Sequence, residues 1–348
     1  MVIELIHNKF DMKNILILLT LFTGLIACEN QKIEFPDFVY TSGYFPYQYP
    51  VRTLVLGDYI YDNTNDNNHK FLISAAMGGV YSNTKDREFD IEVANSLCAN
   101  ALFQSNNDTI RLMPPTYYTL SSNKLIIPAG KVNGGIEVHL NDAFFDDPLA
   151  IKLGYVIPIR IVNSTSVDSV LRGKSSKVNP DPRVDAEWDI LPKDFTMFAV
   201  NYINPYHGMY LHRGLNVVKN ASATVLETNI YRTPYIVDNE IWSLVTTGKN
   251  QVTVQANSRS ALIPGILKMN LTFANDGSCT ITQAVGSTLI ITGSGKFTSG
   301  ADEWGNKKRD AIHINYQLTS GINFYSATDT LVIRDRAIKM QIYKPVVF

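Results

Sequence analysis

From Phe38 onward, apolar and polar residues alternate in short runs broken by Gly, Pro, Asn and Asp. The clearest run is Lys85–Val93. Phe89, Ile91 and Val93 fall on one side and Glu88, Asp90 and Glu92 on the other, a period of two that predicts a half-buried strand. Runs of the same kind predict strands at Arg52–Leu56, His69–Met77, Tyr117–Leu120, Lys124–Ile127, Gly135–Leu140 and Tyr155–Val162, with a helical turn within Ser96–Gln104. Short strands with regular turn signals predict an immunoglobulin-like β-sandwich over residues 37–163, without the Cys…Trp…Cys core of antibody domains.

The pattern breaks over residues 164–190, a polar stretch with Gly and Pro that reads as a linker or a long crossing loop. Strands resume in a second domain, residues 191–348, from Phe195–Tyr202 and Gly208–Arg213 through Ala311–Leu318 and Thr330–Tyr343. Asn275-Asp276-Gly277 predicts a hairpin. Thr288–Thr292 and Lys296–Thr298 read as two strands around a turn at Gly293-Ser-Gly-Lys296. Consecutive hairpins favour an antiparallel meander, closed or nearly closed into a barrel, with a second sandwich as the alternative. The fold class is therefore all-β. No stretch alternates strand with amphipathic helix, which argues against parallel α/β folds.

The N-terminus changes the picture from fold to location. Met12-Lys-Asn followed by an apolar run into Leu25-Ile-Ala-Cys28 has the shape of a bacterial lipoprotein signal, with Met12 as the expected start and Cys28 as the lipidated residue. Residues 1–28 are then signal and lipobox, and residues 29–36 a tether. The expected setting is the outer membrane, facing the cell surface with the periplasmic face as the alternative, and with the lipid anchor as the only membrane contact. The 348 residues are 45% hydrophobic and 18% charged, enough to bury real cores, and the net charge of -1 argues against a nucleic-acid partner. With Cys28 lipidated, Cys98 and Cys279 remain far apart, and each reads as a small buried hydrophobe.

Few residues announce chemistry. Asp86, Glu88, Asp90 and Glu92 could pair for acid–base work but read first as the solvent face of their strand. Asp142, Asp146 and Asp147, like Asp62–Asn68, are oxygen-rich loops without calcium-loop spacing. His207 and His212 belong to no zinc pattern, so neither metal nor cofactor is expected. The aromatics carry more promise, because flat sugar faces pack on rings. Trp304 stands in the polar stretch Ala301–Lys307. Trp242 alternates with Ile241 and shares a face with Leu244, and Tyr206, Tyr210 and His212 surround the Gly208 strand. Core packing is the competing explanation for each.

Phe38–Pro46, Thr53–Asp58, Met77–Tyr81, Ile126–Gly130 and Tyr155–Ile159 resemble the DUF1735 domain of Bacteroidetes lipoproteins. Tyr202–Gly214 and Trp304–Arg309 resemble the DUF4361 domain that often follows it. The resemblance implies an immunoglobulin-like first domain and a setting beside SusC/SusD-like uptake systems, and it supplies no catalytic residues. The expected function is non-catalytic capture of a polysaccharide or oligosaccharide, with Trp304, Trp242, Tyr206, Tyr210 and His212 as the site and a SusC/SusD-like transporter as a partner. A glycoside hydrolase, or an adhesin or assembly protein, is the alternative.

Overall fold

The computed structural model describes residues 40–348, which fold into two β lobes. Cys28, the signal segment and the 29–36 tether lie outside the described residues.

The first lobe is built on a twelve-stranded sheet. Arg87–Val93 buries Arg87, Phe89 and Ile91, as its alternation predicts. Phe71 and Phe198 stand at well-separated places in the strand order, yet their rings stack at 5.6 Å. The sheet therefore curls over its own core, which gathers Phe45, Leu54, Phe89, Val138 and Tyr202. A second cluster, Phe103, Phe195, Met197 and Tyr343 among it, packs separately.

Two strand groupings depart from the domain limits expected from sequence. Phe195–Ile203 pairs with Tyr155–Asn163 and Pro50–Val55, so it belongs to the first lobe although it lies beyond 190. The chain also returns there after the second lobe. Gln341–Ile342 pairs with Pro50–Val55, and Pro345–Val347 pairs with Ala101–Phe103. Residues 164–190 do not span the lobes as a linker. Ser169–Val170 pairs with Ser42–Tyr44, and Arg183 donates to the carbonyls of Leu97 and Ala99. Trp188 stays within this segment, its indole N–H donating to Asp181 O at 2.8 Å.

The second lobe is a closed eight-stranded antiparallel barrel, its ring completed where Gly208–Lys219 pairs with Asn323–Asp335. The Asn275-Asp-Gly turn joins Ile266–Phe273 to Ser278–Gln283 as expected. Gly293 and Gly295 form no turn; they lie inside one long strand, Ile290–Trp304. A side chain would strike Asn315 O at 2.3 Å from Gly293, and His313 O at 2.5 Å and the Cys279 sulfur at 2.9 Å from Gly295. These glycines mark close approach in a tight barrel wall. Val225–Tyr231 branches from the ring, pairing only with the distal half of Gly208–Lys219. Among the described residues no helix is long and apolar enough to cross a membrane.

Candidate functional site: a cleft between the lobes

The lobes meet at residues 204–207 and 336. Asn204 anchors this junction to the barrel. Its N–H donates to Thr246 Oγ1 at 3.1 Å, and its side-chain amide donates to the carbonyls of Gly248 and Gln251. Arg336 reaches back across the seam and donates to the carbonyls of Leu56, Asp58 and Asn204 at 3.0, 3.0 and 2.7 Å. It is 4% exposed. His207 Nδ1 accepts the N–H of Thr246 at 3.0 Å, and burial, helped by the charge of Arg336, lowers its pKa to about 4. Lys249 pairs with Asp146 of the first lobe at 2.7 Å.

Beside this seam opens a cleft of about 540 Å³. One wall is the loop Asp58–Tyr61. It is shaped by Asn63, whose amide donates to Val55 O and Gly57 O, and by buried Asp66, which accepts from Val55 N–H and pairs with Arg52. Asp62–Asn68 is thus a buttress for the loop. A second wall is the hairpin of Ile290–Trp304 and Lys307–Ser320, carrying Ser299, Lys308 and Asp310. Asp310 accepts from Ser299 Oγ at 2.8 Å and Gly300 N–H at 2.9 Å. Ile333 to Lys339 supplies the rest. Tyr59 and Tyr61 meet edge to face at 5.4 Å, and Tyr61 is 68% exposed. The cleft therefore offers aromatic surface beside carboxylates, cations and a hydroxyl. Such a mixture suits a ligand with apolar faces and many hydroxyls.

The residues expected from sequence sit elsewhere. Trp242 and Tyr210 point into the barrel and are buried there. His212 stacks on Trp242 at 3.6 Å. Its Nε2 donates to Asp329 at 2.9 Å and its Nδ1 to Glu240 at 3.2 Å. Two ring nitrogens facing two carboxylates call for the doubly protonated imidazolium. Burial opposes that charge, but the bonds to Asp329 and Glu240 outweigh it and raise the pKa of His212. The bond to His212 holds Glu240 down at about 2. Tyr231 donates to Asp329, and Arg259 pairs with Glu240. Gly214 leaves the room Asp329 needs, since a Cβ there would lie 2.1 Å from its Oδ1. This set runs from the buried His212–Asp329 pair out to the half-exposed Glu240–Arg259 pair, with every charge answered.

Tyr206 plugs the barrel, stacked on Phe273 at 3.7 Å. Tyr210 is buried but borders the cleft, and its phenol donates to Tyr206 O at 2.9 Å. Trp304 ends a strand at a two-residue turn in which Gly305 and Asn306 both have positive φ, 61° and 57°. Arg309 covers its ring at 4.1 Å and its indole N–H donates to Ile333 O at 3.0 Å. Trp304 thus backs the cleft wall and is no open platform. The structure joins Trp242 to His212 and Tyr206 to Tyr210, and leaves Trp304 apart from both pairs. The residues missed from sequence are Tyr59 and Tyr61; the run Tyr59-Ile60-Tyr61 before a polar loop was their signal.

The other sequence candidates are structural. Glu88 pairs with Lys124 at 2.8 Å on the solvent face of its strand. Asp147 accepts from Tyr117 at 3.0 Å and Tyr155 at 2.5 Å. Among the described residues no cluster of His, Cys, Asp or Glu could hold a metal.

A Bacteroides ovatus structural-genomics protein of unknown function superposes with a TM-score of 0.82 at 34% identity, over 90% of this chain and all of that one. The chain belongs to that protein's family. Residues 205–337, which include the barrel, match the domain of unknown function DUF5627, where the sequence resemblance pointed to DUF4361. Residues 37–168 match a model described as a "-like, N-terminal domain". Two further Bacteroides ovatus structures, one of unknown function and one described as a multidomain protein including DUF1735, align at 15% and 14% identity with TM-scores of 0.41 and 0.40. They cover 87% and 86% of this chain, and 99% and 97% of their own. No curated protein matches.

Proposed function

We propose that this protein is a non-catalytic glycan-binding lipoprotein of the outer-membrane surface, anchored at Cys28, that captures polysaccharide or oligosaccharide for a SusC/SusD-like uptake system. The observation that carries the reading is the open cleft at the seam, where the exposed ring of Tyr61 stands beside Tyr59 and polar side chains. The first lobe, which we read as DUF1735-like, supplies the aromatic wall, and the DUF5627 barrel supplies the charged ones.

One open ring gives modest affinity, micromolar to millimolar on the scale of a few kcal/mol. Anchored copies on one polymer would add avidity. A calorimetric and affinity-gel screen of plant, host and fungal glycans tests the reading. Binding to at least one glycan, weakened in Tyr61→Ala, is expected; binding that Tyr61→Ala leaves unchanged places the site elsewhere.

The carboxylates Asp58, Asp310 and Asp335 in the cleft favour a second reading, a glycoside hydrolase. Release of reducing ends from the bound glycan, lost in Asp310→Asn, would promote it. An adhesin or assembly role would rest on the free edge of Val225–Tyr231. Retention by a partner protein with no glycan bound would favour that role.

A further inference from the structure

We propose that the ligand of the seam cleft is an acidic glycan, one whose rings carry carboxylate or sulfate groups; this rests on the cleft being the sugar site. The cleft is lined by Lys308, Arg309, Arg334, Arg336 and Lys339 against Asp58, Asp310 and Asp335. The cations outnumber the carboxylates, so a positive excess remains after Asp58 and Asp310 have offset part of the charge of Arg336 and Asp335 part of that of Arg334.

Arg336 is the deepest. Its partners are the three main-chain carbonyls of the seam, and its Nε has no partner. Carbonyls satisfy donors but leave the formal charge uncancelled. Lys308 and Lys339 have no ion-pair partner among the described residues, and Arg334 meets only Asp335, at 3.8 Å. The hydrogen bonds that the carboxylates accept come from neutral donors. Asp310 takes Ser299 and Gly300, Asp335 takes the N–H of Ala337 at 2.8 Å, and Asp58 lies 3.5 Å from Ser299 Oγ.

This is the reverse of the His212 set, where His212 and Arg259 are matched to Asp329 and Glu240. An electropositive concavity concentrates anions. Stacking on Trp304 also fixes the plane of Arg309, and a guanidinium held flat is prepared for the two oxygens of a carboxylate or sulfate. The cleft lining carries this positive excess in a chain of net charge -1, and the Tyr59–Tyr61 edge is part of the same lining. A nucleic acid would need a longer basic track.

Calorimetry on the full chain, with oligogalacturonides, chondroitin sulfate, dextran and mannan as probes, tests the inference. An acidic probe should bind and the neutral ones should not. Raising salt from about 50 to about 500 mM should weaken binding. The double variant Lys308→Ala/Lys339→Ala should lose about tenfold or more in affinity, with its melting temperature unchanged. Oligogalacturonide against chondroitin sulfate tells whether carboxylate alone suffices. If dextran or mannan binds, Tyr61→Ala abolishes it and the lysine variant does not, the cleft remains a sugar site and its ligand is neutral. If an acidic probe binds equally well to both variants, or if no probe binds, both the acidic preference and the cleft assignment fail.

Discussion

Two regions of this molecule gather aromatic rings and charged groups, and they differ in how those groups are answered. In the barrel, His212 is enclosed by Trp242, Asp329 and Glu240, with Tyr231 and Arg259 completing the set. At the seam, Lys308, Lys339 and the ring of Tyr61 face open space. A buried set with matched charges specifies and stabilises a fold. An exposed one with unmatched charges has capacity left for a ligand. By this contrast the barrel set reads as architecture and the seam is where we propose that a ligand binds, a different place from the one the aromatic residues suggested from sequence.

The contrast can be broken first at Asp329. Replacing it by Ala leaves a buried imidazolium without its closest partner, which costs about 3–5 kcal/mol. Denaturant unfolding should show that loss, while the folded fraction keeps its glycan affinity. Trp242→Ala should act in the same direction and by a similar amount, about 3–5 kcal/mol, since the ring is buried.

The next effect is a pH dependence. His207 has its pKa lowered to about 4 by burial, against an ordinary value near 6.5 in the unfolded chain. A lowered value means the unfolded state takes up the proton first. Its contribution is therefore complete above pH 6.5 and is lost as pH falls toward 4, by up to about 3 kcal/mol. His207→Gln should flatten that slope in melts run across the range. His212 has the opposite sign. Its raised value stabilises below pH 6.5, and the contribution fades as pH rises through the folded value. Opposite changes of slope in His207→Gln and His212→Gln would sharpen the distinction between seam and barrel.

Trp304→Ala should cost about 1–2 kcal/mol, for the lost cover on Arg309 and the bond to Ile333 O. The smallest change in stability belongs to Tyr61→Ala, within about 0.5 kcal/mol for an exposed ring, although it should carry the larger loss of glycan affinity.

Much of the fold was legible because strand alternation and turn chemistry are local. Phe89 and Ile91 announced their face, and Asn275-Asp276-Gly277 announced its hairpin. Trp242 and Leu244 do share a face, with Ile241 on the other. Local pattern does not say whether a shared face looks inward, and here it forms the barrel core. Gly293 and Gly295 misled because glycine marks both turns and close approach; only the neighbouring strand, with Asn315 and His313 on it, distinguishes them. The site was hidden for the same reason. It joins residues 58–61 to residues 299–310 and 333–339, and that meeting depends on a chain that leaves the first lobe at Ile203 and returns to it at Gln341.

Hydrogen–deuterium exchange with and without a glycan that binds in the screen tests the central claim most directly. The account predicts new protection at residues 58–61, 299–310 and 333–339, with the barrel strands unchanged. Protection confined to the barrel segment 225–240, or absent from all three cleft segments while binding is saturated, would contradict it.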